Sequence, residues 1–535
     1  MAYYLSNTTI DLPSTGMLGQ SGPTYDSQHA RYATVPSVSS QLSKTRPAGN
    51  RSPRTLIHLL DDDSLLIIFS FCRLPVMALD ESKTYHSERL EGGEWTRERW
   101  WYRLIQVCRR WRYLVLGSAF HLQVSLVCTR GTPVADMLAD SPPLPLIIDH
   151  FDDEYDVLTP EDEEGIIFAL QHRDRVRRIR IRKSASILQK LILALDGVFP
   201  ILEFLSIDDR RFMRPYINYT TNLNFPETFR APHLRQLVLD NFATPIESPI
   251  LTTMGNLVTL LLTSIPSSGY FHPNVLLQRL SLMPQLEILG LGFHCYNHSR
   301  ERQLLRTPIM TRVTLPNLHW LMFEGTSAYL EALLPWVSIP LLEMLHIHFL
   351  NRMIYSIPHL RQLMISAGNL RSKTTVITFD EDYLHVESFS YKGASMYNLD
   401  MELGGRHLDW QVVSAAQAFC AIKTVFSAVE DLTFKYDRHN VLPEWNRQAD
   451  RSHWGELLGS FDKVKTLRVE SGLVEQVSLA LQPGEGESPT KLFPELQELS
   501  YPSRGVSQAS LRAFTLFIDA RRKAGHPVTV TVFEK

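Results

Sequence analysis

The chain has 535 residues, 44% of them hydrophobic, with a formal net charge of -3 and a pI near 6.7. That length holds several domains, or one compact module joined to an extended array. The near-neutral balance excludes a global attraction to nucleic acid or to an anionic membrane, so a charged partner has to be met by a local patch.

Residues 1–54 are rich in Ser, Thr and Pro and place few apolar residues at helical or strand spacing, as in S-V-S-S-Q-L-S-K-T-R-P-A-G-N-R-S-P-R. Such a segment buries too little surface to offset its ordering entropy and reads as a disordered tail. It carries phosphorylation sites or is a plain solvated leader; composition favours the second. The start has no basic region followed by an apolar one, and nowhere do eighteen apolar residues run uninterrupted. Cys72, Cys108, Cys128, Cys295 and Cys420 are scattered and lack C-x-x-C pairing. A cytosolic or nuclear location is expected, and the sequons at Asn7, Asn218 and Asn297 then carry no glycan.

Residues 55–118 hold three short helical signals. In L-L-D-D-D-S-L-L-I-I-F-S-F-C-R-L, Asp62, Asp63 and Ser64 suit a helix start, and Leu65, Ile68, Phe69 and Cys72 follow at i, i+3, i+4 and i+7. In W-W-Y-R-L-I-Q-V-C-R-R-W-R-Y-L-V-L, Trp101, Leu104, Ile105 and Cys108 make one stripe, and Trp111, Leu114 and Val115 the next. Helices this short need something to dock on, whether repeats, a partner or both.

This module resembles an F-box, whose usual opening is L-P-x-E-L-L-x-x-I-F and whose usual close is V-C-[KR]-x-W-[RKN]-x-L. Val107, Cys108, Arg109, Trp111, Arg112 and Leu114 match the close; Leu60 stands where the family often has Pro, and an insertion from about 75 to 99 separates the halves. The resemblance implies that Leu65, Leu66, Ile68 and Phe69, with Val107, Cys108, Trp111 and Leu114, bind a Skp-type adaptor that leads to a cullin–RING ubiquitin ligase. Helix-in-groove docking uses apolar anchors at this spacing. The plainer reading makes the same residues a joint between tail and repeats.

The acid-rich run Asp149 to Glu164 lacks the spacing and central Gly of a calcium loop and reads as a solvated insertion. After it, Arg178, Arg180 and Arg182 alternate with Ile179 and Ile181, which places the three guanidiniums on one strand face. They suit an acidic segment, a phosphate or an import receptor, or are neutralised by the acidic run.

From Val176 onward one pattern recurs, apolar-x-x-apolar-x-apolar. Twelve units begin at Val176, Leu202, Leu234, Leu257, Leu286, Leu318, Leu342, Leu360, Val386, Val429, Val464 and Leu496. Pro stands two residues before seven of them, at 200, 232, 284, 316, 340, 358 and 494, disfavouring continuation of a preceding helix. The hexapeptide P-H-L-R-Q-L occurs in two units, from Pro232 and from Pro358, and is expected to enter a strand both times. Y-F-H-P-N-V-L-L-Q-R-L-S-L-M-P and S-A-Y-L-E-A-L-L-P-W read as connecting helices. Stacked strand–helix units build a core that none has alone.

The pattern resembles leucine-rich repeats, L-x-x-L-x-L, in an irregular form: successive units lie from 18 (Leu342 to Leu360) to 43 (Val386 to Val429) residues apart. With the F-box, the chain resembles large fungal families of F-box proteins with degenerate leucine-rich repeats. The expected fold class is α/β, a short helical F-box followed over 119–535 by a curved repeat solenoid with strands on the concave face. The resemblance implies a non-catalytic substrate receptor in ubiquitin-dependent degradation, its repeats holding a target protein.

Outward strand positions include Arg178, Arg180, Gln236, Val238, Trp320, Met322, His346, Met364, Lys435 and Arg468. Their mixed signs favour a protein target over nucleic acid, which asks for a sustained basic stripe. With Arg182 and His348, the residues Arg178, Arg180, Gln236, Trp320 and His346 are the candidate target-binding set. H-C-Y-N-H at 294–298 offers N and S ligands without a second cluster and reads as surface rather than metal, so no metal or cofactor is expected. G-x-S-x-G, H-E-x-x-H, P-loop and G-x-G-x-x-G motifs are missing from suitable contexts, which argues against an enzyme and against a cryptic hydrolase in the repeats. A repeat scaffold without a ligase role is the alternative.

Overall fold

All but one of the recurring apolar units lay down a strand, and these strands line up side by side. The computed structural model describes residues 56–72, 100–151, 158–209, 224–293, 303–350, 357–437 and 451–534, less 242, 244–245, 247, 254, 381–382, 392–395, 406–407, 471 and 485–486. The Ser/Thr/Pro-rich tail and the insertion at about 75 to 99 lie outside them. The chain divides into two compact units, Met1–Leu60 and Asp61–Lys535. In the first, a 3-10 turn at Leu56–Leu59 is described.

The second unit is a mixed α/β structure. Its strands are β1 Leu126–Cys128, β2 Leu146–His150, β3 Val176–Lys183, β4 Phe204–Asp209, β5 Gln236–Asp240, β6 Thr259–Ile265, β7 Ile288–Phe293, β8 Val313–Thr314, β9 Trp320–Gly325, β10 Val337–Ser338, β11 Met344–Phe349, β12 Thr374–Phe379, β13 Tyr383–Phe389, β14 Leu399–Gly404, β15 Asp431–Tyr436, β16 Thr466–Val469, β17 Glu498–Pro502 and β18 Thr529–Phe533. Sixteen form one sheet in the order β1-β2-β3-β4-β5-β6-β7-β9-β11-β14-β13-β12-β15-β16-β17-β18, and β8 pairs with β10 apart from it. The sheet has two ends and does not close into a barrel. Neighbours are parallel except β12 with β13 and β13 with β14.

The helices described are α1 Asp62–Cys72, α2 Trp100–Ile105, α3 Arg109–Gly117, α4 Val134–Asp140, α5 Pro160–Gln171, α6 Ala185–Leu193, α7 Pro249–Thr252, α8 Pro273–Leu280, α9 Ser327–Leu333, α10 Pro358–Ser366, α11 Leu408–Ala421, α12 Lys423–Phe426, α13 Arg451–Leu458, α14 Val474–Leu481 and α15 Gln508–Lys523. Parallel neighbours require crossovers of this kind. Several helices begin on a capping side chain: Thr326 accepts the Tyr329 N–H of α9, and Ser507 the Ser510 N–H of α15. Successive helices pack together, α4 on α5, α8 on α9, α9 on α10, and α11, α13, α14 and α15 each on the next.

One backbone arrangement recurs at the strand entrances. The Glu203 carbonyl accepts the N–H groups of Arg235 and Gln236, the Arg235 carbonyl those of Val258 and Thr259, and so on through Val258, Glu287 and His319. After a break it resumes at Lys373, Glu430 and Lys465. The apolar residue just before each of these turns, Leu202, Leu234, Leu257, Leu286, Leu318 and Leu342 and later Val429, Val464 and Leu496, is buried. Register then stacks the strand residues in rows. Ile181, Ile207, Leu239, Leu262, Leu291, Phe323, Ile347, Met401, Val386, Ile377, Phe434 and Val469 are aligned across twelve strands, and all are buried.

Ten of the twelve predicted units begin or lead into a parallel strand. Leu360 and Val386 do not. Val386 lies inside β13, the middle strand of an antiparallel meander, β12–β14, set backwards into the ladder. Leu360 belongs to α10, so the second P-H-L-R-Q-L is helical whereas the first enters β5. Leu360, Leu363 and Met364 are buried at helical spacing, Pro358 takes the first-turn position that suits it, and the Glu331 carboxylate of α9 accepts the N–H groups of His359 and Leu360, both at 2.9 Å. Met364, expected to face outward from a strand, is thus buried on a helix. In the first copy the His233 ring instead bonds the Pro200 carbonyl of the preceding unit at 2.6 Å.

The acidic run is likewise more than a solvated insertion. Asp149 and His150 belong to β2, residues 160–164 open α5, and buried Asp162 accepts the Gly131 N–H at 2.7 Å and the Thr159 hydroxyl at 3.0 Å. Residues 152–157 are outside the described set.

The meander leaves its mark on the neighbouring core row, Leu345–Leu399–Ser388–Thr375–Leu432–Leu467, which turns polar at β13 and β12. Thr375 and Ser388 are buried and their hydroxyls bond each other at 2.9 Å. Either Thr375→Val or Ser388→Ala alone strands a buried hydroxyl and should cost about 1–3 kcal/mol, whereas the double change should cost less than the sum of the two. Urea unfolding of the two single variants and the double variant measures that coupling.

Candidate functional site

Two surfaces present candidate binding residues, the helical module α1–α3 and the strand face opposite the buried rows. In the module, Asp61 Oδ1 accepts the Ser64 N–H at 2.6 Å at the head of α1, which holds the carboxyl below its ordinary range. Arg110 of α3 reaches back to Asp62 Oδ1 at 2.7 Å, and Phe69 meets Trp111 edge-on at 4.8 Å between ring centres. Trp101 is buried, its indole N–H donating to the Ser125 carbonyl at 3.2 Å, which ties the module to the entrance of β1.

The eight residues expected to bind an adaptor divide by this packing. Leu65, Phe69 and Leu114 are buried; Leu66, Cys108 and Trp111 are half-buried; Ile68 and Val107 are exposed. Ile67, Phe71 and Tyr113, outside the helical stripes read from the sequence, are exposed as well, Phe71 to 82%. For Ile67 and Phe71 the signal was the second apolar face of α1, since Phe71 follows Ile67 by four residues and Ile68 by three.

On the sheet, Arg178, Arg180 and Arg182 share the face opposite the core and all are half-buried. Arg178 lies 5.0 Å from the Phe204 ring, and Arg180 and Arg182 lie 3.8 and 3.6 Å from the Phe151 ring. Arg182 pairs with Asp208 of β4 at 2.5 Å. Gln236 and His348 are half-buried, but Trp320 and His346 are only 5% and 7% exposed. Both were expected to be accessible. Trp320 stands in register between Ile288 and Met344, and His346 between Met322 and Asp400, so side chains on adjoining strands crowd them.

Along one row of this face the register sets Arg182 beside Asp208 and Asp208 beside Asp240, then farther on Glu324, His348, Glu402 and His385. Asp240 accepts the Thr263 hydroxyl at 2.8 Å. Gly292 leaves room for Glu324: a Cβ there would lie 3.3 Å from its Oε2. His348 Nδ1 stands 3.6 Å from Glu324 and 3.4 Å from Glu402. In the adjacent row buried Asp400 is held by both neighbours, His346 Nδ1 at 2.8 Å and His385 Nε2 at 2.6 Å.

These environments move several pKa values. Burial raises Asp208 to about 6, with Asp240 adding and Arg182 opposing. Burial also raises Glu324, against the pull of His348. For Asp400 burial acts upward, yet the bonds and charges of His346 and His385 carry it well below the carboxylate range.

Among the described residues no three or more His, Cys, Asp or Glu side chains are placed to hold a metal, and no described helix is long and apolar enough to cross a membrane. The H-C-Y-N-H segment lies outside the described residues. A scan against protein-family models finds none that matches the chain, and a search of curated proteins finds no similar one.

A carboxyl whose folded pKa lies above its unfolded value stabilises most at low pH, and that contribution is lost as pH rises from about 4 to about 6. Asp208→Asn keeps an acceptor for Arg182 but cannot ionise. It should remove a loss on the order of 2 kcal/mol across that interval. Urea midpoints of both proteins at successive pH values read the difference.

Proposed function

We propose that the chain is the substrate-recognition subunit of an SCF-type cullin–RING ubiquitin ligase, α1–α3 binding a Skp-type adaptor and the repeated region binding a target protein. The observation that carries this reading is the exposed apolar set Ile67, Ile68, Phe71, Val107 and Tyr113 on a helical module whose closing segment is V-C-R-R-W-R-Y-L. Phe69, Trp111 and Leu114 hold the helices together from inside, leaving the outward residues for a partner groove. In this reading the chain acts in the cytosol or nucleus and transfers no ubiquitin itself.

We also read the ladder as an irregular leucine-rich-repeat solenoid, its strand face being the target side. The shared turn at successive strand entrances and the packing of each helix on the next support that. The accessible part of the face carries both signs, Arg182, Lys435 and Arg468 beside Glu324 and Glu402, which suits a protein target better than a phosphate backbone. Trp320 and His346 drop out of the target-binding set, and Arg178, Arg180, Arg182, Gln236 and His348 stay in it.

Co-purification with a Skp-type adaptor tests the reading. Phe71→Asp with Val107→Asp changes two exposed positions, so the fold should persist while adaptor binding falls at least tenfold. Retained binding in that variant would move the contact elsewhere. Absence of binding by the wild-type chain would leave a repeat scaffold without a ligase role.

A further inference from the structure

The antiparallel meander β12–β14 is held in the parallel sheet at β14, which runs parallel to β11 on one side and antiparallel to β13 on the other. Near the start of β14, Asp400 has no exposure to water, and each neighbouring strand supplies one imidazole to it, His346 from β11 and His385 from β13. A buried carboxylate that cannot be hydrated depends on such partners for its charge. We propose that His346, Asp400 and His385 form a proton-operated clamp on this meander, tight while the imidazoles are charged and looser once they are neutral.

The two bonds outlast deprotonation, because a neutral ring still donates from Nδ1 in His346 and from Nε2 in His385. What is lost is the balancing charge. Around the clamp stand Glu402 on β14, Glu387 and Tyr383 on β13, His348 on β11 and Glu324 on β9, with Asp240 of β5 acting on Glu324. Thr378 of β12 stands beside His385 and Lys435 of β15 beside Thr378. Helix α11, packed on β13 and β14, carries Asp409 as its one charged residue. With Asp400, Glu387 and Glu402 around it, the His385 imidazole brings positive charge to a carboxylate-rich site only while it carries a proton. Tyr383, raised to about 12 by burial and by Asp380, stays neutral throughout.

Burial pulls the His385 pKa down, but the bond to Asp400 and that carboxylate's charge, with Glu387 and Glu402, outweigh it and set it above the ordinary imidazole range. A group with its folded pKa raised stabilises fully below the unfolded value, about 6.5, and the contribution fades as pH rises through the folded value. Asp208 loses its contribution at lower pH and on β4, and Glu324 faces His348, so the test has to be read locally on the meander.

Hydrogen exchange of the full chain, followed by mass spectrometry at about pH 6 and about pH 8 and corrected for intrinsic rates, makes that reading. Protection over β13 and β14, residues 383–389 and 399–404, should fall on the order of tenfold more than over β4 and β5, residues 204–209 and 236–240. His346→Gln with His385→Gln keeps neutral donors and removes the charge, so protection over β13 and β14 should match the wild-type high-pH level at both pH values. Equal losses in the two segments of the wild type, or a drop that persists in the double variant, would overturn the clamp. If the double variant does not fold, the imidazole resonances of the wild type decide: a His385 midpoint above the ordinary range upholds it, and one at or below about 6.5 removes it.

Discussion

A single carbonyl accepting two successive N–H groups, repeated at strand entrance after strand entrance, is the constraint on which the second unit rests. It brings each chain segment back to the same place beside its predecessor, and the next five or six residues then have no choice of register. Leu237 must stand beside Leu205 and Leu260, as Leu239 stands beside Ile207 and Leu262. Because only the return point is specified, the connection can vary: loop closure grows only slowly more costly with length, and units from 23 (Leu234 to Leu257) to 35 (Val429 to Val464) residues apart are joined by the same turn.

The ladder is interrupted after β11, and the structure there is held by different means. The Leu345 N–H turns to the Asn398 carbonyl at the entrance of β14, and the shared turn resumes only between Lys373 and Glu430. Within this stretch buried polar groups pair across strands, Thr375 with Ser388 on the core side and Asp400 with two histidines on the other. Polar pairs tolerate little displacement, because an unmet partner in the interior is costly. They therefore give the inverted meander one arrangement where apolar residues would allow several. The C-terminal end uses a third device: Arg521 of α15 is buried and donates to the carbonyls of Phe493, Pro494 and Leu496, just ahead of β17.

The inner side of the helical module was legible in the segment Val107 to Leu114, since Trp111 and Leu114 recur at helical spacing and face a common core. Which apolar residues of α1 point inward was not, as Leu65, Ile67, Ile68, Phe69 and Phe71 populate two faces of one helix. Burial of Leu65 and Phe69 follows from the contact of Phe69 with Trp111, forty-two positions away in the chain. On the sheet, period-two alternation correctly put Arg178, Arg180 and Arg182 on one face, yet it could not show that Trp320 and His346 are crowded by Ile288, Met344, Met322 and Asp400. Asp400 itself carried no motif. Its partners come from positions 346 and 385, and only strand pairing brings them together.

The hexapeptide P-H-L-R-Q-L marks the limit most plainly. By itself the sequence determined where chain segments break and which residues seek a core: proline closes off what precedes it, and leucines three residues apart satisfy a helix or the bend into a strand equally well. It therefore specified the recurring strands wherever a unit was followed by another of its kind. Whether those six residues become a strand or a helix was decided by their surroundings. At 232–237 the Glu203 carbonyl and the Pro200 carbonyl receive the chain as the next rung, while at 358–363 the Glu331 carboxylate receives the same residues as the first turn of a helix. Backbone donors have to be met by some acceptor, and which acceptor is within reach is a property of the folded chain.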